Sequence, residues 1–225
     1  MSDPAPGPDG RGGPHVFVDD LDDPVLDPDD RHHLVRVLRL RPGQPLTISD
    51  GAGRWRACEL GDEPEPTGAV EVVPAGRPIT IGFPPVKGER PDWAVQKLTE
   101  IGVDRIVLLE TERGVVRWSG DRATKHLDRL RRIAREAAMQ SRRVRLPELE
   151  GPVPLRNVVG EPGVALADRS GEAPDASTST VLIGPEGGWS DAERALGVRR
   201  ICVGRNVLRV ETAALAAAVS LTTLG

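Results

Sequence analysis

The chain has 225 residues, enough for one large domain or two modest ones, and carries 34 acidic against 30 basic side chains for a net charge of −4. With four Trp, two Phe and no Tyr, the core has to be built mostly from Val, Leu, Ile and Ala. No apolar run approaches a membrane span and the acidic, Pro/Gly-rich N-terminus is unlike a secretory leader, so a cytoplasmic protein without a membrane partner is expected.

Residues 1–13 are expected to be a disordered acidic tail. Residues 15–18 read as a first strand, and 29–40 (DDRHHLVRVLRL) as a short amphipathic helix with an Asp N-cap, presenting Arg36 and Arg39 away from Leu34, Val37 and Leu38. Adjacent His32 and His33 point in different directions on a helix, which argues against a metal. Residues 45–60 alternate around Asp50-Gly51-Ala52-Gly53, a hairpin signal, and a strand at 68–73 follows a Pro-rich turn at 63–67. This makes 14–76 a small β domain. Cys58 and Cys202 have no second Cys or His at ligand spacing and read as buried thiols, with neither disulfide nor zinc.

From residue 79 strands alternate with helices, which implies an α/β domain over 77–225 with a parallel sheet. Strands are expected at 79–83, 105–109, 164–167, 181–183 and 201–203, and helices at 91–101, closed by Gly102, at 121–140 and from Glu211 onward. The long helix should turn Leu127, Leu130, Ile133, Ala134, Ala137 and Ala138 inward and most of its arginines outward. Polar loops at 87–90, 110–113 and 184–188 follow strand ends, where open α/β sheets bind ligands.

Charge is segregated along the chain. Residues 3–30 hold nine Asp and one Arg, whereas 31–56 hold six Arg and one Asp, and 122–145 hold nine Lys/Arg against Asp128 and Glu136. Local basic runs of this kind matter more to polyanion binding than the net total. The GPEGG loop at 184–188, opening toward a helix at Ser190, offers backbone N–H groups to a ligand, yet matches neither the dinucleotide nor the P-loop pattern. Without a Ser-His-Asp arrangement or a metal cluster, hydrolysis has no support.

Five ordered segments together resemble a known family: HHLVRVLRLRPGQ before DGAG; KGERPDWAVQKLTEIGVDRIVLLETERG; REAAMQSRRVRLPEL; IGPEGGWSDAE; and VGRNVLRVETAAL. They are similar to the SPOUT-class RNA methyltransferases, and within them to the branch that methylates N3 of a uridine in small-subunit ribosomal RNA. The resemblance runs from about His15 to the C-terminus. It implies a PUA-like RNA-binding β-barrel, then a SPOUT domain whose C-terminal segment forms a trefoil knot, and a homodimer acting on small-subunit ribosomal RNA in an assembled 30S particle.

The same resemblance implies S-adenosyl-L-methionine as cofactor. Carried over by motif, its pocket would comprise Leu166 and Asp168; Ile183, Gly184, Pro185, Glu186, Gly187 and Gly188; and Val203, Gly204, Asn206, Leu208 and Arg209, with Thr212 and Ala213. Arg209 is the candidate for stabilising charge on the uracil oxygens. Glu211 could accept the N3 proton, orient that arginine, or simply face a helix N-terminus. Arg36, Arg39, Lys87, Arg90, Arg142 and Arg143 are the candidate RNA contacts, since a guanidinium fork suits phosphate. Val210 stands where the family commonly has Thr, and Met139 where it frequently has an acidic residue. Two rival readings are an RNA-binding knotted protein without catalysis and a nucleotide-binding α/β enzyme.

Overall fold

The computed structural model describes residues 7–224, which fall into two compact units, one of residues 7–76 with 135–146 and one of residues 77–134 with 147–224. The tail expected at 1–13 therefore lies in part outside the described residues. Residues 7–14 form neither helix nor strand.

In the first unit a five-stranded sheet is built from β1 (His15–Phe17), β2 (Pro45–Ser49), β3 (Arg54–Leu60), β4 (Pro64–Pro66) and β5 (Glu71–Val72). Its order is β1-β2-β3-β4 with β5 also on β3; β1 runs parallel to β2 and the other pairs are antiparallel. The β2–β3 hairpin turns where expected. The Asp50 carboxylate accepts the N–H groups of Ala52 and Arg54 and pairs with the Arg54 guanidinium at 2.7 Å. Residues 63–67 are not a simple turn, because Pro64–Pro66 pairs with the end of β3. A strand at the rim of a sheet needs no donors on its outer side, so proline is tolerated there. The strand expected at 68–73 shrinks to two residues.

The helix expected over 29–40 begins earlier and ends sooner. Asp27 is the N-cap, accepting the Asp29 N–H at 2.8 Å, and Pro28 occupies the first helical position, where its missing N–H costs nothing. After α1 (Pro28–His32) the backbone widens into a π-helical turn, His33–Val37, in which Leu38 donates to the His33 carbonyl. Arg39 then takes a positive φ of 56°, and the helix stops. Leu34 is fully buried with Val16, Leu46, Ile48, Cys58 and Leu60. Arg135 is an exception to the outward-facing arginines: it donates to buried Asp30 at 2.9 Å and lies 5.6 Å over the Phe17 ring. Met139 packs against the same core, so an apolar thioether suits a position where a carboxylate would be desolvated.

His15 gives this unit a pH dependence. Its ring is 3% exposed, shares a 2.9 Å hydrogen bond with the Thr47 hydroxyl, and leaves Nε2 buried without a partner. Burial, aided by the Arg142 charge, lowers the imidazole to about 4. A group that resists protonation when folded stabilises the fold fully above its unfolded pKa of about 6.5, and that contribution is lost as pH falls toward 4. Denaturant unfolding of the first unit should therefore lose about 3 kcal/mol between pH 7 and pH 4, and His15→Gln should flatten that loss. Parallel pH curves for the two proteins would refute this role for His15.

The second unit contains a six-stranded, all-parallel sheet of β6 (Thr80–Phe83), β7 (Arg105–Glu110), β8 (Glu148–Pro154), β9 (Val164–Glu172), β10 (Thr180–Leu182) and β11 (Arg199–Ile201). Its order, β11-β9-β10-β6-β7-β8, sets β10 between β9 and β6. The central strands are buried on both faces, as a parallel sheet covered on each side requires. Helix α2 (Arg90–Ile101) buries Ala94, Val95, Leu98 and Thr99 and ends at Gly102, whose φ of 106° lets its N–H reach back to the Leu98 and Thr99 carbonyls. Of helix α3 (Gly120–Gln140), the part that belongs to this unit buries Leu130 and Ala134, with Leu127 and Ile133 partly buried, and the part that belongs to the first unit buries Ala137 and Ala138. Short α4 (Leu155–Val158) and α5 (Asp191–Arg194) connect strands, and α6 (Val210–Thr222) packs on α2 and β6 through Ala213, Ala214, Ala217, Ala218 and Leu221. Those small side chains let the helix sit close to the sheet.

Strand β8 lies in a stretch to which the sequence assigns no element, and β9 continues through polar residues as far as Glu172. Its last part pairs with β11 after a register shift, and Gly171 makes this possible: a Cβ there would lie 2.4 Å from the Ile201 nitrogen. The edge strand β11 is Arg-Arg-Ile, two residues upstream of the expected 201–203, because pairing rather than apolarity defines it.

Candidate functional site

Beside the middle of β9 and beyond the carboxyl ends of β10 and β11 the second unit holds a cleft of about 270 Å³. Adjacent parallel strands whose order reverses in the sequence leave a crevice at this end. Three segments wall it: the middle of β9, the loop 183–189 after β10, and 202–208 with the first turns of α6.

Of the residues implied for the cofactor, Asp168, Ile183, Gly184, Pro185, Glu186, Gly188, Val203, Gly204, Asn206, Leu208 and Ala213 line this cleft. Four do not. Leu166 is buried in a core cluster with Trp189, Gly187 and Thr212 are exposed, and Arg209 is exposed immediately before α6. Ala167, Trp189, Arg194, Cys202, Val207 and Val210 are lining residues that motif reading did not single out. Buried Val210 puts methyls on the wall where a Thr would put a hydroxyl.

The loop after β10 is held from several directions. Ile183 donates to the Gly82 carbonyl at 2.7 Å, and Gly188 to that of Pro185 at 2.8 Å. Trp189, 2% exposed, lies beneath Gly184, where an added Cβ would meet the indole at 3.0 Å, and its Nε1 donates to the Ala167 carbonyl at 3.0 Å. Ser190 and Glu193 form a reciprocal capping box on α5, and Glu193 also accepts the Glu112 N–H at 2.9 Å. Arg113 donates to the carbonyls of Gly187 and Trp189, each at 3.2 Å. A loop tied down in this way presents its backbone in one arrangement, so little ordering entropy remains to oppose binding.

Charges gather at the rim. Arg90 donates to Glu186 at 2.7 Å and stands 3.8 Å from Glu211. The hydrogen bond from Arg90 is the main cause holding the Glu186 carboxyl below its ordinary range, and the same bond raises the guanidinium. Glu211 is 7% exposed and its Oε2 has no hydrogen-bond partner. A buried carboxylate oxygen left open beside a cleft is available to a ligand proton. Asp168, 2.7 Å from Arg194, would be raised by burial, but Ser170's N–H and hydroxyl and the Arg194 charge outweigh that and keep it lowered.

Arg90, one of the candidate RNA contacts, thus lies against two carboxylates. Lys87 is exposed in the loop before α2. In the first unit Arg36 and Arg39 are exposed, Arg143 is half-buried, and half-buried Arg142 donates to the Gly13 carbonyl. Among the described residues no three His, Cys, Asp or Glu side chains are grouped as a metal site, and no helix is long and apolar enough to cross a membrane. Cys58 and Cys202 are free thiols.

Residues 74–222 match the family described as RNA methyltransferase domain, and residues 26–72 the family described as RNA methyltransferase PUA domain. The chain is 32% identical to the ribosomal RNA small subunit methyltransferase E of Mycobacterium bovis, over 89% of this chain and 88% of that protein. It is 27% identical to the Bacillus subtilis protein of the same name, over 82% and 83%. Among solved structures, a Legionella pneumophila methyltransferase with bound SAM aligns with a TM-score of 0.78 at 28% identity, over 93% of this chain and 96% of that one. A ribosomal RNA small subunit methyltransferase E from Neisseria gonorrhoeae, bound to S-adenosyl methionine, aligns with a TM-score of 0.73 at 26% identity, over 94% and 97%.

Proposed function

The chain belongs to the RNA methyltransferase family that includes ribosomal RNA small subunit methyltransferase E, and from this premise we propose that it transfers a methyl group from S-adenosyl-L-methionine to N3 of a uridine in small-subunit ribosomal RNA. The observation that carries the reading is the convergence of the middle of β9 and the loops after β10 and β11 on one small cleft with an apolar floor and a charged rim. The residues present fit the cofactor. Ile183, Trp189, Leu208, Val210 and Ala213 supply apolar walls for an adenine, and Gly184, Gly188 and Gly204 bring main-chain groups close where few side chains are polar.

When bound, S-adenosyl-L-methionine supplies an electrophilic methyl carried on a positive sulfonium. The protein's task is then to lower the cost of taking the proton from N3 and to hold the uracil still. Arg209 stabilises negative charge on the uracil oxygens. Glu211 accepts the N3 proton through its open oxygen or, paired with Arg90, fixes the electrostatics around Arg209. Glu211, 7% exposed, is shielded from water, which strengthens the interactions of its carboxylate.

The reading extends to a PUA-like barrel over 14–76, a SPOUT domain over 77–225 with a C-terminal trefoil knot, a homodimer, and a cytoplasmic site of action on the assembled 30S particle. The placement of β10 between β9 and β6 supports the knot. Arg36, Arg39, Lys87, Arg142 and Arg143 remain the proposed phosphate contacts.

The test is transfer of radiolabelled methyl to small subunits from a strain lacking the modification, followed by mass mapping of the RNA. A single labelled uridine, methylated at N3, is expected. An RNA-binding protein without catalysis would bind subunits and transfer nothing. Calorimetric binding of a nicotinamide nucleotide in place of S-adenosylhomocysteine would favour a different α/β enzyme.

A further inference from the structure

A second cleft in the same unit, about 430 Å³, is not explained by the cofactor reading. It lies between the loop before α2 and the start of α3, and its chemistry comes from Lys87, Arg117, Trp118, Arg122, His126 and Arg129. Trp118 is 6% exposed, with its indole in the core of the unit. Its ring holds the His126 imidazole flat, with centroids 4.1 Å apart and planes 11° from parallel. His126 is half-buried, so one face of an immobilised aromatic ring is turned outward.

The cations around that ring are of two kinds. Arg129 pairs with Asp92, the one carboxylate lining this cleft, just as Arg131 and Arg135 on the same helix pair with Asp128 and Asp30. Lys87, Arg117 and Arg122 converge on the cleft with no carboxylate within 4.0 Å among the described residues. Like charges brought together without a partner repel, an arrangement that suits a site completed by a polyanion.

Both walls lead into the cofactor cleft. Arg90 donates to the Lys87 carbonyl at 3.2 Å and pairs with Glu186, while Arg113, four residues before Arg117, donates to the carbonyls of Gly187 and Trp189. A strand with one base at the cofactor cleft could therefore have a neighbouring nucleotide here. We propose that this second cleft is a subsite for a nucleotide flanking the target uridine, with the base stacked on His126 and the backbone phosphates on Lys87, Arg117 and Arg122. An aromatic face reads any base, whereas guanidinium forks read phosphate, so the subsite would position the strand more than specify it.

The proposal rests on the methyltransferase reading, and the experiment separates the two. Wild type, Arg117→Gln/Arg122→Gln and His126→Ala are compared for methyl transfer to undermethylated small subunits, for direct subunit binding across a salt series, and for calorimetric S-adenosylhomocysteine binding. The double variant is expected to raise KM for subunits about tenfold with kcat within about twofold, and to reduce the salt slope of binding by about two. His126→Ala should raise KM about fivefold with the slope unchanged. S-adenosylhomocysteine affinity should be the same in all three proteins. Unchanged KM and slope in the double variant would overturn the subsite, and so would a loss of S-adenosylhomocysteine affinity, which would make the arginines supports of the cofactor cleft. If wild type binds subunits but transfers no methyl, the methyltransferase reading fails, while the salt slopes still decide the subsite.

Discussion

Replacing Arg209 with alanine is expected to lower methyl transfer by about 10²–10³-fold while leaving S-adenosylhomocysteine affinity within about threefold. Removing the proton from uridine N3 leaves negative charge on the ring oxygens, and a cation placed for that charge acts mainly in the transition state. Arg209 is exposed at the start of α6, its carbonyl accepts the Ala213 N–H, and its charge reaches Glu186 on the rim. Its side chain makes no capping hydrogen bond, so its loss should cost under about 0.5 kcal/mol of stability. Because the residue does not line the cofactor cleft, binding and turnover should separate cleanly. Arg209→Lys should recover part of the rate by restoring the charge without the fork. Turnover equal to wild type in the alanine variant would remove Arg209 from the catalytic set, and a parallel loss of S-adenosylhomocysteine affinity would reassign it to cofactor binding.

Much of the second unit is legible from its amino acids because local chemistry and final structure agree there. Helix α2 has Pro91 near its start, an apolar face at helical spacing and Gly102 at its end, and it folds as those signals say. The strands at 79–83 and 105–109 are apolar runs that become buried central strands. The elements that periodicity misses are those defined by pairing partners. Strand β8 carries Gly151 and Pro152, which ordinarily break a strand, yet β7 supplies it with a ladder at the sheet's edge. The polar end of β9 has no alternating pattern and is a strand because β11 lies beside it.

The same division runs through the site. Each glycine-ended loop after β10 and β11 is by itself a weak sign of a ligand, since many such loops merely turn the chain, and it is their meeting in one cleft that gives them meaning. Glu211 is harder to interpret. In sequence it is an ordinary acidic residue in a helix's first turn, and only Arg90, from the other end of the unit's sequence, marks it as a buried carboxylate with one oxygen open. Arg90 itself reads as a phosphate contact until Glu186 and Glu211 are seen beside it. Contacts over such separations in sequence leave no periodic trace.

Trp189→Ala should be the most damaging single change at the cleft, because two functions meet in one side chain. The indole is almost wholly buried, and truncating a large aromatic costs about 3–5 kcal/mol in transfer and cavity terms. The Ala167 carbonyl also loses its donor, worth about 1 kcal/mol. For a unit of this size the sum corresponds to a fall in Tm of roughly 15–20 °C. Unlike a core residue remote from the site, Trp189 also lies under Gly184 and borders the cleft, so the cavity opens where a ligand would rest. S-adenosylhomocysteine affinity should fall more than about tenfold at a temperature where the variant is still folded. Trp189→Phe separates the contributions: it keeps most of the ring's packing but cannot donate to Ala167, and should cost only about 1–2 kcal/mol with a correspondingly small loss of affinity. If the alanine variant melts early yet binds S-adenosylhomocysteine as tightly as wild type, Trp189 is a core residue and the cleft takes its shape from the backbone of the loop alone. If the phenylalanine variant is as impaired as the alanine one, the bond to Ala167, which ties β9 to the loop after β10, sets the width of the cleft.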